Sequence, residues 1–180
     1  MSGTKSKSYS AAVLTVSDTR YSGENVDTVG PKIANFLTDH GFDPVQVSIV
    51  PDEIDRISEI IIHWTDGENI DLVISTGGTG LAPRDVTPEA TRKIIDREIP
   101  GIADFIRNDG GVQTSMAWLS RAVAGMRGNS LIINVPGSER GAMHALETVI
   151  DIIPHAIQTI QGDTRECGKK VGEHDHHPHT

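Results

Sequence analysis

Three short apolar runs constrain the fold of this 180-residue chain more than any other feature. They are "AAVLTV" (Ala11 to Val16), "LVI" (Leu72 to Ile74) and "LIINV" (Leu131 to Val135), and each ends in a turn-rich loop. A strand exposed on one face alternates polar and apolar residues, whereas a continuous apolar run of this length suits a strand covered on both faces. Between the runs, apolar residues recur at helical spacing. Ile33, Phe36 and Leu37 do so ahead of Gly41, and Ile54, Ile57, Ile60, Ile61 and Trp64 share one helix face. Val45, Val47 and Ile49 alternate as in a further strand. Strands interleaved with helices predict an α/β fold, a three-layer α/β/α arrangement around a mostly parallel central sheet.

The helical assignments continue down the chain. Thr87 followed by Pro88 reads as an N-cap and first helical position, carrying Ile94 and Ile95 inward. Ile102, Phe105 and Ile106 predict a short helix that "NDGGVQTS" breaks. From Ala142 to Ile160 the apolar spacing is helical, with a kink at Pro154. No internal repeat or interdomain linker interrupts the pattern. The expected organisation is a flexible N-terminal segment (1–9), one α/β domain (10–164) and a polar His-rich tail (165–180).

In such sheets ligands bind beyond the carboxyl ends of the strands. Here those ends carry "VSD", "VPDE", "STGGTG" and "NVPGS". In the loop Thr76, Gly77, Gly78, Thr79 and Gly80, the glycines allow close backbone approach, and successive N–H groups can form an anion nest. It is neither a Walker A loop nor a dinucleotide fingerprint. A phosphate or nucleotide loop is the favoured reading and a plain tight turn the alternative. Asp85 and Asp52 each have two readings from residue type alone: a helix-start carboxylate favoured by the macrodipole, or a ligand for Mg²⁺ beside bound phosphate.

Composition narrows the function. With 16 Lys and Arg against 25 Asp and Glu the formal net charge is −9, which argues against a general nucleic-acid binder. An anionic substrate therefore requires local cations, for which Arg84 and Arg121 are placed best and Arg140 less well. The single Cys167 suits a reducing compartment. No secretory leader or membrane-length apolar segment is evident, so a cytoplasmic protein with no membrane contact is expected. The tail histidines His174, His176, His177 and His179 are read as an exposed polar cluster rather than a metal site. His144 and His155 have no evident partner in the sequence, and Trp64 is assigned to the core or a subunit interface.

The segments "LTVSD", "VPDE", "STGGTGLAPRDVTPEAT", "LSR" and "NVPGS" occur in the order and spacing of the MoaB/Mog family of molybdenum cofactor biosynthesis, which includes the G domain of gephyrin. The chain resembles that family over about residues 10–162. The resemblance implies the family's molybdopterin-binding fold and a molybdopterin adenylyltransferase. ATP and Mg²⁺ would be used to transfer AMP to the terminal phosphate of molybdopterin, releasing pyrophosphate. It assigns Asp52 and Asp85 as catalytic and metal-holding, and Thr76 to Gly80 as the nucleotide loop. Ser120, Arg121, Asn134, Pro136, Gly137 and Ser138 fall to the molybdopterin site. It further implies a homotrimer, with a hexamer as the alternative, and hand-over to a downstream metal-insertion protein. A molybdopterin-binding or assembly protein without turnover is the rival reading. Two departures stand out: Val29 and Gly30 follow "DT" where the family often has Ser-Gly, and "TSMAWLSR" lacks a proline common before "LSR".

Overall fold

Six strands form one sheet in the order β2-β1-β3-β6-β5-β4 in this computed structural model, which describes residues 8–162. The elements are β1 (Tyr9–Val16), α1 (Asp18–Tyr21), α2 (Val29–Asp39), β2 (Phe42–Val50), α3 (Ile54–Ile62), β3 (Leu72–Thr76), α4 (Thr87–Ile94), β4 (Arg97–Glu98), α5 (Pro100–Gln113), β5 (Ala124–Arg127), β6 (Ser130–Val135), α6 (Glu139–Val149) and α7 (Ile153–Ile160). A π-helical turn, His63–Gly67, follows α3, and a 3₁₀ turn, Ser115–Leu119, follows α5. The first four strands of the sheet order are parallel, and β5 and β4 extend it antiparallel.

The three apolar runs become the three central strands because both faces of each are covered. Along β1, Ala11 and Val13 face a core shared with α2, α5, α6 and α7, while Ala12, Leu14 and Val16 face a second core with α3 and α4. Leu131 and Ile133 join the first core and Ile132 the second, each with no solvent exposure. This is the expected three-layer α/β/α arrangement. Trp64 lies in the second core, 2% exposed. Burial of such side chains, at about 1.5–3 kcal/mol each, drives the layers together.

Several local expectations change. β1 begins at Tyr9, which is buried, so the sheet starts inside the segment expected to be flexible. On the edge strand β2, Val45 and Val47 are exposed, and a register shift opposite Ala11/Ala12 leaves Val45 without a partner. α5 runs through "NDGG" to Gln113 instead of breaking there. Its glycines serve close approach: a Cβ on Gly110 would sit 3.0 Å from the Ala117 methyl, and one on Gly111 2.6 Å from Trp118 Nε1. At Pro154 the helix ends and restarts, since the chain leaves α6 at Val149 and Pro154 occupies the first turn of α7. Cys167 and the tail histidines lie outside the described residues.

The chain runs from β1 outward to β2 across one face of the sheet, then returns across the other to β3 on the far side of β1. The strand order therefore reverses between β1 and β3. At such a switch point the loops diverge and leave a crevice at the carboxyl ends of the strands.

Candidate active site at the switch point

The loops that follow β1, β2, β3 and β6 meet at this crevice. Ser17 N–H donates to the Val50 carbonyl at 3.0 Å, and Gly77 N–H to the Val135 carbonyl at 3.3 Å. Gly77, with φ near +101°, passes so close to β1 that a Cβ there would lie 2.3 Å from the Val16 carbonyl oxygen. Only glycine fits. A Cβ on Gly137 would likewise lie 2.9 Å from Gly77 Cα, which brings the β6 loop onto the β3 loop.

Thr87 holds this arrangement from the second core. Its hydroxyl donates to the Gly77 carbonyl at 2.8 Å and its N–H to the Gly78 carbonyl at 3.1 Å. The expected N-cap role is therefore corrected: the position before the helix is Val86, no side chain caps α4, and the Thr87 hydroxyl clamps the glycine loop. The N–H groups of Gly78, Thr79 and Gly80 find no acceptor among the described residues and remain available to an anion.

Asp52 and Asp85 line the same small cleft, of about 470 Å³, together with Ser17, Arg20, Gly77, Gly78 and Gly137. Neither is a side-chain cap. Asp52 Oδ2 accepts the Asp18 N–H at 2.8 Å, and Asp85 Oδ2 accepts the Ala82 N–H at 2.8 Å. The other oxygen of each carboxylate has no hydrogen-bond donor among the described residues. Both abut the glycine loop: a Cβ on Gly78 would lie 3.0 Å from Asp52 Oδ1 and one on Gly80 2.8 Å from Asp85 Oδ2. Burial pushes the Asp52 carboxyl above its ordinary value, reinforced by the charges of Asp18 and Asp85 against the Asp18 N–H and Arg84.

On the other side of the loop lies a cavity of about 800 Å³ between α5, the Ser115–Leu119 turn and α6. Thr79, Gly80, Ser120, Pro136 and Ser138 line it, with Arg107, Arg140, Met143 and His144. Its volume lies in the range typical of small-molecule sites. His144, which had no evident partner in the sequence, places Nε2 2.9 Å from Asp109 Oδ2, although too far off line for a formed hydrogen bond. The glycine loop is thus the partition between a small carboxylate-bearing cleft and a larger mixed cavity.

Three residues expected at the site line neither space. Thr76 is fully buried and its hydroxyl donates to the Pro136 carbonyl at 2.7 Å, pinning two loops. Asn134, 1% exposed, is a strut inside the sheet: its amide nitrogen donates to Ser75 Oγ and Thr91 Oγ1, and its oxygen accepts the Val123 N–H at 3.1 Å. Arg121 donates to the Gly80 carbonyl at 2.7 Å, the Asp85 carbonyl at 2.5 Å and the Glu89 carboxylate, so its charge braces the loop from behind. Arg84, expected to meet a bound anion, makes a two-donor pair with Asp18.

Residue type alone did not single out Asp18, although its position directly after a buried strand was a usable signal. The Arg84 guanidinium beside Asp18 holds its carboxyl below the usual value, with the Asp52 N–H helping. Asp27 is a second omission. It accepts the Thr15 hydroxyl at 2.7 Å and the N–H groups of Val29 and Gly30, so α2 keeps a carboxylate cap despite valine at position 29. Gly30 is required there, since a Cβ would lie 2.5 Å from Asp27 Oδ2.

Known proteins resemble this chain in sequence and in fold. Residues 12–155 match the family described as "Probable molybdopterin binding domain". The chain is 38% identical over 160 residues to a molybdopterin adenylyltransferase of Helicobacter pylori, covering 88% of this chain and 91% of that protein. It is 42% identical over 169 residues to the molybdenum cofactor synthesis protein cinnamon of Drosophila melanogaster, covering 93% of this chain but only 28% of that longer protein. Among solved structures, the molybdopterin biosynthesis enzyme MoaB of Thermus thermophilus superposes with a TM-score of 0.82 at 46% identity, covering 86% of this chain and 97% of that one. With a match over most of its length and the loops of the family gathered at one switch point, the chain belongs to the molybdopterin-binding-domain family of molybdenum cofactor biosynthesis proteins.

Proposed function

We propose that the protein is a molybdopterin adenylyltransferase, transferring AMP from ATP to the terminal phosphate of molybdopterin with release of pyrophosphate. The observation that carries this reading is the pair Asp52 and Asp85, each with an undonated oxygen beside a glycine loop that separates two cavities. The small cleft would take the ATP phosphates and the larger cavity the pterin. The similarity to the Helicobacter pylori adenylyltransferase supports the same assignment.

The donor set fits Mg²⁺. Among the described residues no three His, Cys, Asp or Glu converge on one point, so the protein offers two carboxylates and leaves the remaining positions to phosphate oxygens and water. Asp52 and Asp85 would hold the ion. When bound, it supplies charge neutralisation at the phosphates and at the leaving pyrophosphate.

The reaction joins a molybdopterin phosphate oxygen to the α-phosphorus of ATP and breaks the bond from that phosphorus to the bridging oxygen, which leaves on pyrophosphate. A phosphate monoester has a second pKa of about 6 and is already largely ionised at neutral pH, so no residue is required as a base. The chain's own contribution is positional. Gly78, Thr79 and Gly80 present N–H groups to the anion, Thr87 fixes the Gly77 and Gly78 carbonyls, and Arg121 holds those of Thr79 and Gly80. We place the active form as a cytoplasmic homotrimer, with exposed Val45, Val47, Trp118 and Leu119 available for subunit contact. Among the described residues no helix is long and apolar enough to cross a membrane.

The test mixes protein, Mg-ATP and molybdopterin and follows adenylylated pterin and pyrophosphate. Product with a 1:1 yield of pyrophosphate is expected. Asp85→Asn should abolish transfer even at saturating Mg²⁺, and normal transfer by that variant would defeat the metal-holding role. Tight pterin binding by the wild type without product would instead establish a binding or assembly protein.

A further inference from the structure

Asp18 and Arg84 stand 66 residues apart in sequence and pair beside the small cleft, next in the chain to its lining residues Ser17, Thr19 and Asp85. Arg84 Nε donates to Asp18 Oδ2 at 2.9 Å and Nη2 to Asp18 Oδ1 at 2.8 Å. The same carboxylate accepts the Asp52 N–H at 3.0 Å, while the Asp18 N–H donates to Asp52 Oδ2. Asp18 therefore touches the metal-holding carboxylate through the backbone and Arg84 through its side chain. Neither Asp18 nor Arg84 lines the cleft itself. The Arg84 side chain is 60% exposed and that of Asp18 43%, and an exposed ion pair adds little net stability, so the guanidinium exchanges partners at low cost. Its planar donors match phosphate as well as carboxylate.

We propose that Asp18 is a positioning residue that stations Arg84 beside the cleft and yields it to the phosphates of an incoming nucleotide. The Asp18–Arg84 pair and phosphate binding are then mutually exclusive, and the inference rests on the reading of this cleft as a nucleotide site. Asp18 keeps its two hydrogen bonds with Asp52 throughout, one to the backbone N–H and one to the carboxylate, so Asp52 stays in place while Arg84 changes partner. The pair also sets a threshold: a polyphosphate outcompetes the carboxylate, whereas a weakly held monoanion does not.

Calorimetric titration of the full chain with pyrophosphate, and separately with Mg-ATP, tests this. Asp18→Asn retains an oxygen for the Asp52 N–H and removes the charge that competes for Arg84. It should bind pyrophosphate about fivefold more tightly than wild type, the factor set by releasing one exposed ion pair. Arg84→Gln should bind more weakly, and adding Asp18→Asn to Arg84→Gln should change affinity less than about twofold. Equal tightening by Asp18→Asn with and without Arg84 would reduce the effect to the general field of a lost negative charge and overturn the exchange. Weakened binding by Asp18→Asn in a variant that melts like wild type would make Asp18 a prop for Asp52 only. If wild type binds neither ligand, the nucleotide reading itself fails and this inference falls with it. Binding by wild type with no gain in Asp18→Asn defeats the inference alone.

Discussion

Replacing Thr87 by valine removes one hydroxyl at constant shape and tests what orders the glycine loop. Thr87 has no solvent exposure, and its Oγ1 is a donor to the Gly77 carbonyl at 2.8 Å. Valine leaves that carbonyl without this donor, a loss worth about 1–3 kcal/mol. With a central value of about 2 kcal/mol, the melting temperature of a domain this size should fall by roughly 4–8 °C. Thr87→Ser keeps the donor and loses a methyl, so it should cost only about 1 kcal/mol. Thr87→Asp separates the clamp from a helix cap most sharply. Aspartate is among the best N-caps, so a capping role predicts a neutral effect. A clamp requires a donor, which an ionised carboxylate lacks, and burying that charge beside a carbonyl should cost more than about 3 kcal/mol. Urea denaturation gives the stabilities, and titration with Mg-ATP reports whether the loop still forms its site. A stable Thr87→Asp protein with unchanged nucleotide affinity would refute the clamp.

Three further outcomes follow from the same geometry. Asn134→Ala strands Val123 N–H and the hydroxyls of Ser75 and Thr91, so denaturation should show a loss of about 2–4 kcal/mol; a variant of normal stability with weakened pterin binding would return Asn134 to the ligand site. Asp52→Asn should end AMP transfer yet stabilise the fold at neutral pH. The Asp52 carboxyl titrates above its unfolded value, so the stability it contributes is fully present below the unfolded pKa and is lost as pH rises through the folded one. The advantage of asparagine should therefore grow with rising pH, and thermal melts across the acid range that show the opposite trend would contradict the burial argument. Gly111→Ala gains helix propensity of about 1 kcal/mol but drives a methyl toward Trp118, which is exposed and can move; a shift in tryptophan fluorescence with little change in stability is expected.

The layers were legible because burial on two faces writes itself into a single stretch of chain: "AAVLTV" and "LIINV" need no distant information to be recognised as central strands. The glycine loop was legible because it sits directly after such a strand, whereas Asp52 and Asp85 looked equally like helix-start carboxylates until the family resemblance assigned them. β4 and β5 were not legible, being two and four residues long at the sheet edge. "NDGG" misled for a related reason: glycine usually interrupts a helix, but here it admits Ala117 and Trp118 from the following turn.

The sequence by itself determined where the chain has two buried faces, where it must turn, and which carboxylates stand at strand ends, because periodicity and backbone freedom are local properties. Tertiary structure alone decided what each polar side chain touches. Thr87 reads as a cap until Gly77 is seen above it, Arg121 and Asn134 read as ligand contacts until their acceptors prove to be protein, and Asp18 gains its role only when Arg84 arrives from 66 residues away. A hydrogen bond is satisfied by proximity in space, and the residues that supply it leave no regular spacing in the chain.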